Sequence, residues 1–278
     1  MGYISLIIFE RSVRVLHLDF RKKKNGVPIL SQQEIDNMAE ALLMDYDPEL
    51  LEQPTSLDIE MFSESYVELE MDYKDLTPDQ SILGATVFGD GYTKVYDFDK
   101  GEMVPIPVVE GTVIIDNSLL NPEQLRRGRF TLGHEIGHWL FHRHMYIVDK
   151  NQITLFDDLP ETEPIIKCRN NDIENPGRKL ETDDDWMEWH ADYFASALLM
   201  PKTTFKKAVQ KMFMQVGLLD SYYRLGTDHD LDLWALQLPR DLADIFNVSV
   251  AAARIRLKKL GIIVEPKVGP HLLFDSTV

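Results

Sequence analysis

Apolar residues recur at helical spacing in several segments of the chain. Ser31 and Glu34 have the spacing of a capping box, and the apolar positions after them predict a helix of about three turns. A second helix is predicted from Asn121, with Pro122 at its first position, through about His144. Further helices are predicted at about 185–200, 203–216 and, as a pair hinged at 247–249, about 238–260.

Between residues 56 and 115 the helical spacing gives way to short β-rich pieces separated by Gly, Pro and Asp. The clearest pieces are 84–88, 93–96 and 111–116, and together they predict a small sheet. The later segment 148–185 is polar, acidic and interrupted by prolines, which predicts a long irregular loop that contains Cys168.

These elements predict an α+β fold with a main domain and a small appendage. We divide the chain into an N-terminal extension (1–30), a main domain (31–216) and a C-terminal helical region (217–278). The basic run at 21–26 is interpreted as a solvated turn at the first junction. A chain of 278 residues is long enough to bury a sizeable core in such an arrangement.

Composition and charge restrict the partners and the compartment. The formal net charge of −17 makes the chain a poor partner for a polyanion, so direct nucleic-acid binding is not expected. Cys168 is the single cysteine, which excludes an internal disulfide framework and favours a reducing compartment. The apolar opening segment lacks the basic residues of a signal peptide and the length of a membrane span. We therefore expect a cytoplasmic protein without a membrane anchor.

Two histidines four residues apart lie on the helix predicted from Asn121. His134 and His138 are about 40° apart around the helix axis and about 6 Å apart along it, so both imidazoles can reach one ion. Glu135 projects at another angle, close to the open coordination position, where a carboxylate can take a proton from water. The pattern predicts a catalytic Zn²⁺ site for peptide hydrolysis, with manganese as an open alternative.

A catalytic zinc ion usually has a third protein ligand. His142 is about 12 Å from His134 along the helix, so we interpret it as a supporting or structural residue. Glu188 and Asp192 lie on one face of a later helix, and we predict that Glu188 binds the metal while Asp192 orients an imidazole. His190 is predicted to be a packing or surface residue. The remaining alternatives for the third ligand are His144, Cys168 and His229.

Two sequence blocks resemble the ImmA/IrrE family of metallopeptidases: RFTLGHEIGHWLFH at 129–142 and EWHADYFASALLMP at 188–201. A looser likeness covers 31–265. The resemblance implies a zincin-like fold with a small mixed sheet and an active-site helix, in which His134, His138 and Glu188 bind zinc and Glu135 is the catalytic acid/base. Asp192 stands where the family commonly has Asn, and either side chain can accept a hydrogen bond from imidazole.

The resemblance also implies a substrate class, because family members look like site-specific proteases that cleave helix-turn-helix repressors. The pair at about 238–260 is itself similar to the first two helices of a helix-turn-helix and is locally basic. We expect it to recognise a repressor rather than DNA. Two alternatives remain: a non-catalytic binding module that a metal ion stabilises, and a neutral protease of broad specificity. Tyr222, Tyr223 or His229 is a candidate oxyanion donor, although a structural role is the simpler interpretation.

Overall fold

The computed structural model describes residues 18–146, 165–169 and 180–265, and the statements below refer to these residues. Its helices are α1 (Gln32–Tyr46), α2 (Ile59–Phe62), α3 (Leu125–His142), α4 (Asp183–Leu199), α5 (Lys202–Gln215), α6 (His229–Phe246) and α7 (Val250–Lys259). Its strands are β1 (Glu70–Lys74), β2 (Ile82–Val87), β3 (Gly91–Asp97), β4 (Glu102–Val108), β5 (Thr112–Asp116), β6 (Ile165–Arg169), β7 (Tyr223–Arg224) and β8 (Ile263–Val264). The protein is an α+β fold with small sheets.

The largest sheet has four strands in the order β1-β5-β2-β6. β1 is parallel to β5, whereas β2 is antiparallel to both β5 and β6. Side chains on one face of this sheet pack against α3 in the main hydrophobic core. Ala85, Val87 and Ile114 point to the opposite face and form a second cluster with Val95 and Val108 of the β3–β4 hairpin. The sheet is therefore covered on both sides, by α3 and by the hairpin.

Helices α3 and α4 make the most extensive contact between two helices of the described chain. A β carbon added at Gly133 would lie 3.2 Å from Ala195 Cβ, and one added at Gly137 would lie 3.0 Å from Ala191 Cα. Small residues on both helices therefore allow the two backbones to approach closely. This close crossing brings the His134–His138 segment of α3 against the Glu188–Asp192 segment of α4.

The sequence correctly predicted most helices but misplaced the starts of two of them, α3 and α6. The capping box at Ser31 is present, with Glu34 bonded back to the Ser31 backbone. The helix predicted from Asn121 instead begins at Leu125. The Asn121 amide donates to the Ser118 carbonyl at 2.9 Å, so this side chain closes the preceding 3₁₀ helix (117–120) and does not cap α3.

Five of the eight described strands were not predicted: β1, β4, β6 and the two-residue strands β7 and β8. β6 lies within the segment predicted to be an irregular loop, while residues 147–164 and 170–179 of that segment fall outside the described part. β4 contains Pro105 and Pro107, which disfavour a strand because proline donates no backbone hydrogen bond. Its only described partner is β3, so it is an edge strand, where proline is tolerated. β1 shows no regular alternation of buried and exposed residues.

Residues 18–30 pack against the ends of the two central helices. The basic turn is exposed, as predicted, but Lys23 Nζ lies 2.6 Å from Asp183 Oδ1 at the start of α4. The Gly26 carbonyl lies 2.9 Å from His144 Nε2, just after α3, and Val27 is buried. This part of the predicted extension is therefore fixed to the main body, whereas residues 1–17 lie outside the described chain.

Helices α6 and α7 meet at Asn247, which adopts a left-handed conformation with φ of 50°, at the predicted hinge. The first helix is longer than the pattern indicated, because it begins at His229. Leu238, Phe246 and Leu257 are buried in the same hydrophobic cluster as α1, α3 and α4. The core is thus continuous across the domain boundary predicted at 216, and that boundary stays a prediction. None of the described helices has the length and apolar character that crossing a bilayer requires.

Candidate metal centre

His134 and His138 lie one turn apart in the fully buried part of α3. Their Nε2 atoms are 2.9 Å apart. Glu188 of α4 points its carboxylate at both: Oε2 is 3.3 Å from His134 Nε2, and Oε1 is 3.4 Å from His138 Nε2. The three side chains form the group predicted from the sequence, and their ligand atoms lie within 4.8 Å of one another.

These separations fit a single divalent ion. Nitrogen and oxygen ligands about 2.0–2.1 Å from a tetrahedral zinc ion are about 3.3 Å from each other, close to the observed 2.9, 3.3 and 3.4 Å. Glu188 Oε2 is buried and makes no hydrogen bond. Burial disfavours the charged form of Glu188 and so raises its pKa. The interactions with His134 and His138 are stronger than this effect, and they hold the pKa of Glu188 well below its usual range. Glu188 therefore remains ionised, as a metal ligand must be.

Asp192 and His142 contact the far side of the two imidazoles. Asp192 Oδ1 lies 2.9 Å from His134 Nδ1, one helical turn after Glu188. His142 Nδ1 lies 3.0 Å from His138 Nδ1. If each Nδ1 carries the proton and donates it to these partners, each Nε2 presents a lone pair toward Glu188, as metal binding requires. These contacts would allow the supporting roles predicted for Asp192 and His142, which stay a prediction.

His190 extends this chain of imidazoles. It is fully buried, and its Nδ1 lies 3.5 Å from His142 Nε2. Burial lowers the pKa of His190 to about 4 and also lowers the pKa of His142, so both rings are neutral near pH 7. The sequence predicted that His190 is either a packing residue or a surface residue. Its burial supports the first alternative and excludes the second. Its contact with His142 depends on the crossing of α3 and α4, which no local pattern reveals.

Glu135 is fully buried between α3 and β2. Its Oε2 accepts a hydrogen bond of 2.5 Å from Thr86 Oγ1, whereas its Oε1 has no hydrogen-bond partner. Burial is the main cause that raises the pKa of Glu135, and His134, His138 and Thr86 oppose it. A carboxyl group with a raised pKa and one free oxygen, beside three side chains that could hold a metal ion, is suited to general acid/base catalysis.

Comparison with known proteins gives a family. A model of the Peptidase M78 family, described as the IrrE N-terminal-like domain, matches residues 86–258, which include both helices of the metal centre. The chain belongs to the M78 family. It also matches a solved "Mycobacterium tuberculosis transcriptional regulator" at 14% identity and a TM-score of 0.38, over 81% of this chain and 55% of that chain. The chain thus spans about half the length of that protein, and no curated protein matches it.

Several other residues considered from the sequence have different partners in this M78 chain. His144 contacts the Gly26 carbonyl rather than the metal-binding triad. The Tyr223 hydroxyl donates to Asp232 Oδ1 at 2.7 Å in the C-terminal region, which supports its structural interpretation. His229 is the first residue of α6, and Cys168 lies in β6. His144 and His229 are not in the group of side chains that converge on the metal position.

The basic residues of α7 are largely engaged within the chain. Arg256 is fully buried and pairs with Asp36 at 2.7 Å. Lys258 pairs with Glu265, and Lys259 lies 5.0 Å from the centre of the Tyr193 ring. Arg254 is exposed. Much of the apparent basic surface of the helical pair is therefore committed to internal contacts.

The sequence interpretation missed two residues of β2 that contact Glu135. Thr86 donates the hydrogen bond described above, and a β carbon at Gly84 would lie 2.5 Å from Glu135 Oε1. The predicted strand 84–88 contained both residues, but strand periodicity does not identify the group that a strand faces. One signal was available, because glycine inside a strand often marks the close approach of another group.

Proposed function

We propose that this chain is a zinc-dependent endopeptidase in which His134, His138 and Glu188 hold the metal ion and Glu135 is the catalytic acid/base. One observation carries the proposal: three ligand atoms converge within 4.8 Å, beside a buried carboxylate that has an unpartnered oxygen. Imidazole and carboxylate ligands suit zinc, although they also accommodate manganese. Membership of a peptidase family supports hydrolysis of peptide bonds as the reaction.

The residues have separate tasks in this proposal. The bound metal ion would acidify a water molecule and polarise the scissile carbonyl group. Glu135 accepts the proton of the attacking water at Oε1 as the new C–O bond forms, and returns it to the amine nitrogen as the C–N bond breaks. Asp192 and His142 hold the two imidazoles in the tautomer whose Nε2 atoms face the metal.

We further propose that the substrate is a cytoplasmic helix-turn-helix repressor, recognised in part through the C-terminal helical pair. The family resemblance of the 129–142 and 188–201 blocks supports this substrate class. The net charge of −17 disfavours direct contact with nucleic acid, and the engagement of Arg256, Lys258 and Lys259 within the chain does so as well. Arg254 is exposed and is a suitable position at which to test docking without disturbing the core.

The experiment compares new protein N-termini in host cells that express the wild type or Glu135→Gln. Glutamine keeps the size of the side chain and the ligand set but cannot accept the proton. Metal content is measured on both purified proteins and should be equal. We expect a few N-termini inside one DNA-binding repressor in wild-type cells alone. Identical N-termini in both strains, with metal bound, would instead indicate a non-catalytic regulatory binding module.

A further inference from the structure

Strand β2 presents two residues to the helix that carries Glu135. Side chains alternate along a strand, so residues 84 and 86 face one side of the sheet while 85 and 87 face the other. Ala85 and Val87 are in the cluster beneath the β3–β4 hairpin. Gly84 and Thr86 face α3, where Glu135 lies between helix and sheet. Their contacts with Glu135 therefore follow from the register of an inner strand.

The Thr86 hydroxyl holds one oxygen of Glu135. It lies 2.5 Å from Oε2 and 3.1 Å from the backbone oxygen of the same residue. A hydroxyl has one proton to donate, and the shorter distance assigns it to the carboxylate, which is also the stronger acceptor. Thr86 and Glu135 are both fully buried, so water does not compete for this bond. The Thr86 hydroxyl thus determines that Oε2 of Glu135 is hydrogen-bonded and that Oε1 is not.

Gly84 leaves space for the other oxygen. A β carbon at this position would lie 2.5 Å from Glu135 Oε1 and 2.8 Å from Thr131 Cγ2. Gly84 is not among the residues with positive φ, so its backbone conformation does not itself require glycine. The lack of a side chain is therefore a steric requirement of Glu135. Any larger residue would push the carboxylate away from its present position.

We propose that Gly84 and Thr86 are positioning residues: Thr86 holds Oε2 of Glu135, and Gly84 keeps Oε1 in place as the proton-accepting oxygen. The inference rests on the proposed function for its role in the reaction, but the arrangement itself can be tested without activity. Removing the hydroxyl frees the carboxylate to rotate, so Oε1 is correctly placed for only part of the time. The three side chains proposed to hold the metal ion, His134, His138 and Glu188, are left unchanged.

The first test is nuclear magnetic resonance of the metal-loaded full chain with labelled threonine. A buried hydroxyl proton bonded to a carboxylate should give a protected downfield signal. We expect this signal to disappear in Thr86→Val and to shift in Glu135→Gln. The absence of any protected hydroxyl signal that depends on Thr86, in a folded wild type, would overturn the proposal. This measurement detects the hydrogen bond itself and needs no substrate. If the protein proves not to be a peptidase, the result for the Thr86–Glu135 bond still stands.

The second test uses a peptide that spans the cleavage site found in the N-terminus comparison. We expect kcat of Thr86→Val to fall about tenfold to a hundredfold, the usual range for loss of a supporting bond, while KM and the metal dissociation constant stay within about twofold. Thr86→Ser, which restores the hydroxyl, should recover most of kcat. An unchanged kcat in Thr86→Val, or a Ser variant no better than Val, would contradict the role in catalysis.

Gly84→Ala should lower kcat at least as much, because the added methyl group occupies the position of Oε1. Gly91→Ala is its matched control, since a β carbon at this β3 glycine meets nothing within 4 Å. We expect Gly91→Ala to retain wild-type kcat. Equal rates for Gly84→Ala and the wild type would show that Glu135 does not need the space at Gly84, and would refute that half of the proposal.

Discussion

Two buried polar clusters share helix α4, and they differ in whether their polar atoms are satisfied. Arg256 bonds to Asp36 Oδ1 at 2.7 Å, to the Met200 carbonyl at 3.1 Å and to the Tyr193 hydroxyl at 3.3 Å. Tyr193 also donates to Asp36 Oδ2 at 3.2 Å. We call Asp36, Tyr193 and Arg256 the ion-pair cluster. None of its side-chain atoms is among the buried unpartnered atoms of the described chain.

The metal centre is the opposite case. Glu188 Oε2, Glu135 Oε1 and His190 Nε2 are all buried without a hydrogen-bond partner. Unpartnered buried polar atoms are costly, so a native protein keeps them only for a reason such as an ion or a catalytic role. The ion-pair cluster thus holds α1, α4 and α7 together by contacts within the chain, whereas the unpartnered atoms of the candidate metal centre fit a bound ion. Mutations should therefore separate folding from metal binding.

The largest effect is expected in the ion-pair cluster. Asp36→Asn leaves Arg256 buried without its counter-charge, which should lower the free energy of unfolding by about 3–5 kcal/mol. Urea unfolding followed by tryptophan fluorescence measures this change. The folded fraction should still bind one metal ion per chain. Replacing both partners, with Asp36→Leu and Arg256→Met, should recover most of the stability because no charge remains buried. A loss below about 1 kcal/mol in Asp36→Asn would contradict this account.

The next largest effect concerns the third ligand of the metal centre. Glu188→Ala should weaken metal binding by more than about a hundredfold. Loss of a residue that only hydrogen-bonds to a ligand weakens binding by up to about a hundredfold, and loss of a ligand itself should cost more. Competition with a chelating dye measures the dissociation constant. Asp184→Ala removes an exposed acid one turn earlier on α4 and is the matched control. Similar affinities for the two variants would mean that Glu188 is not a ligand. The free energy of unfolding of metal-free Glu188→Ala should be close to that of the metal-free wild type.

A smaller effect is expected for the residue that orients His134. Asp192→Ala should weaken metal binding about tenfold to a hundredfold, because the His134 Nδ1 proton loses its acceptor. Asp192→Asn keeps an acceptor oxygen and should remain within a few-fold of the wild type. The same dye competition measures both variants. If alanine and asparagine weakened binding equally, the charge of Asp192 rather than its hydrogen bond would be responsible.

The smallest effect is a dependence of stability on pH at the far end of the imidazole chain. The pKa of His190 is lowered to about 4 by burial, so between about pH 6.5 and 4 the unfolded chain binds a proton that the folded chain does not. The free energy of unfolding should therefore decrease as the pH is lowered across this window. His190 should contribute about 1 kcal/mol to this decrease for each pH unit. Urea unfolding of metal-free His190→Phe should show a shallower slope than the wild type. Equal slopes would place the His190 pKa near its ordinary value.

Local patterns were sufficient for most helices, for three of the described strands and for part of the site. The spacing of His134 and His138 fixes their common helix face, and the capping box at Ser31 fixes the start of α1. Strand β6 was missed because its flanking composition indicates a loop, and β4 was missed because of its prolines. Asn121 was misinterpreted as a helix cap because a side chain that caps one element can also close the element before it.

Local sequence patterns are enough for the α+β class and for placing His134, Glu135 and His138 on one helix, because these follow from spacings of a few residues. The distant groups that contact these three residues are set by the folded packing. Thr86 reaches Glu135 across 49 residues, and Arg256 reaches Asp36 across 220. Such contacts depend on how closely helices and strands approach, which the small residues Gly133, Gly137 and Gly84 permit. The three-dimensional packing therefore sets which buried polar atoms are satisfied and which remain open to a ligand.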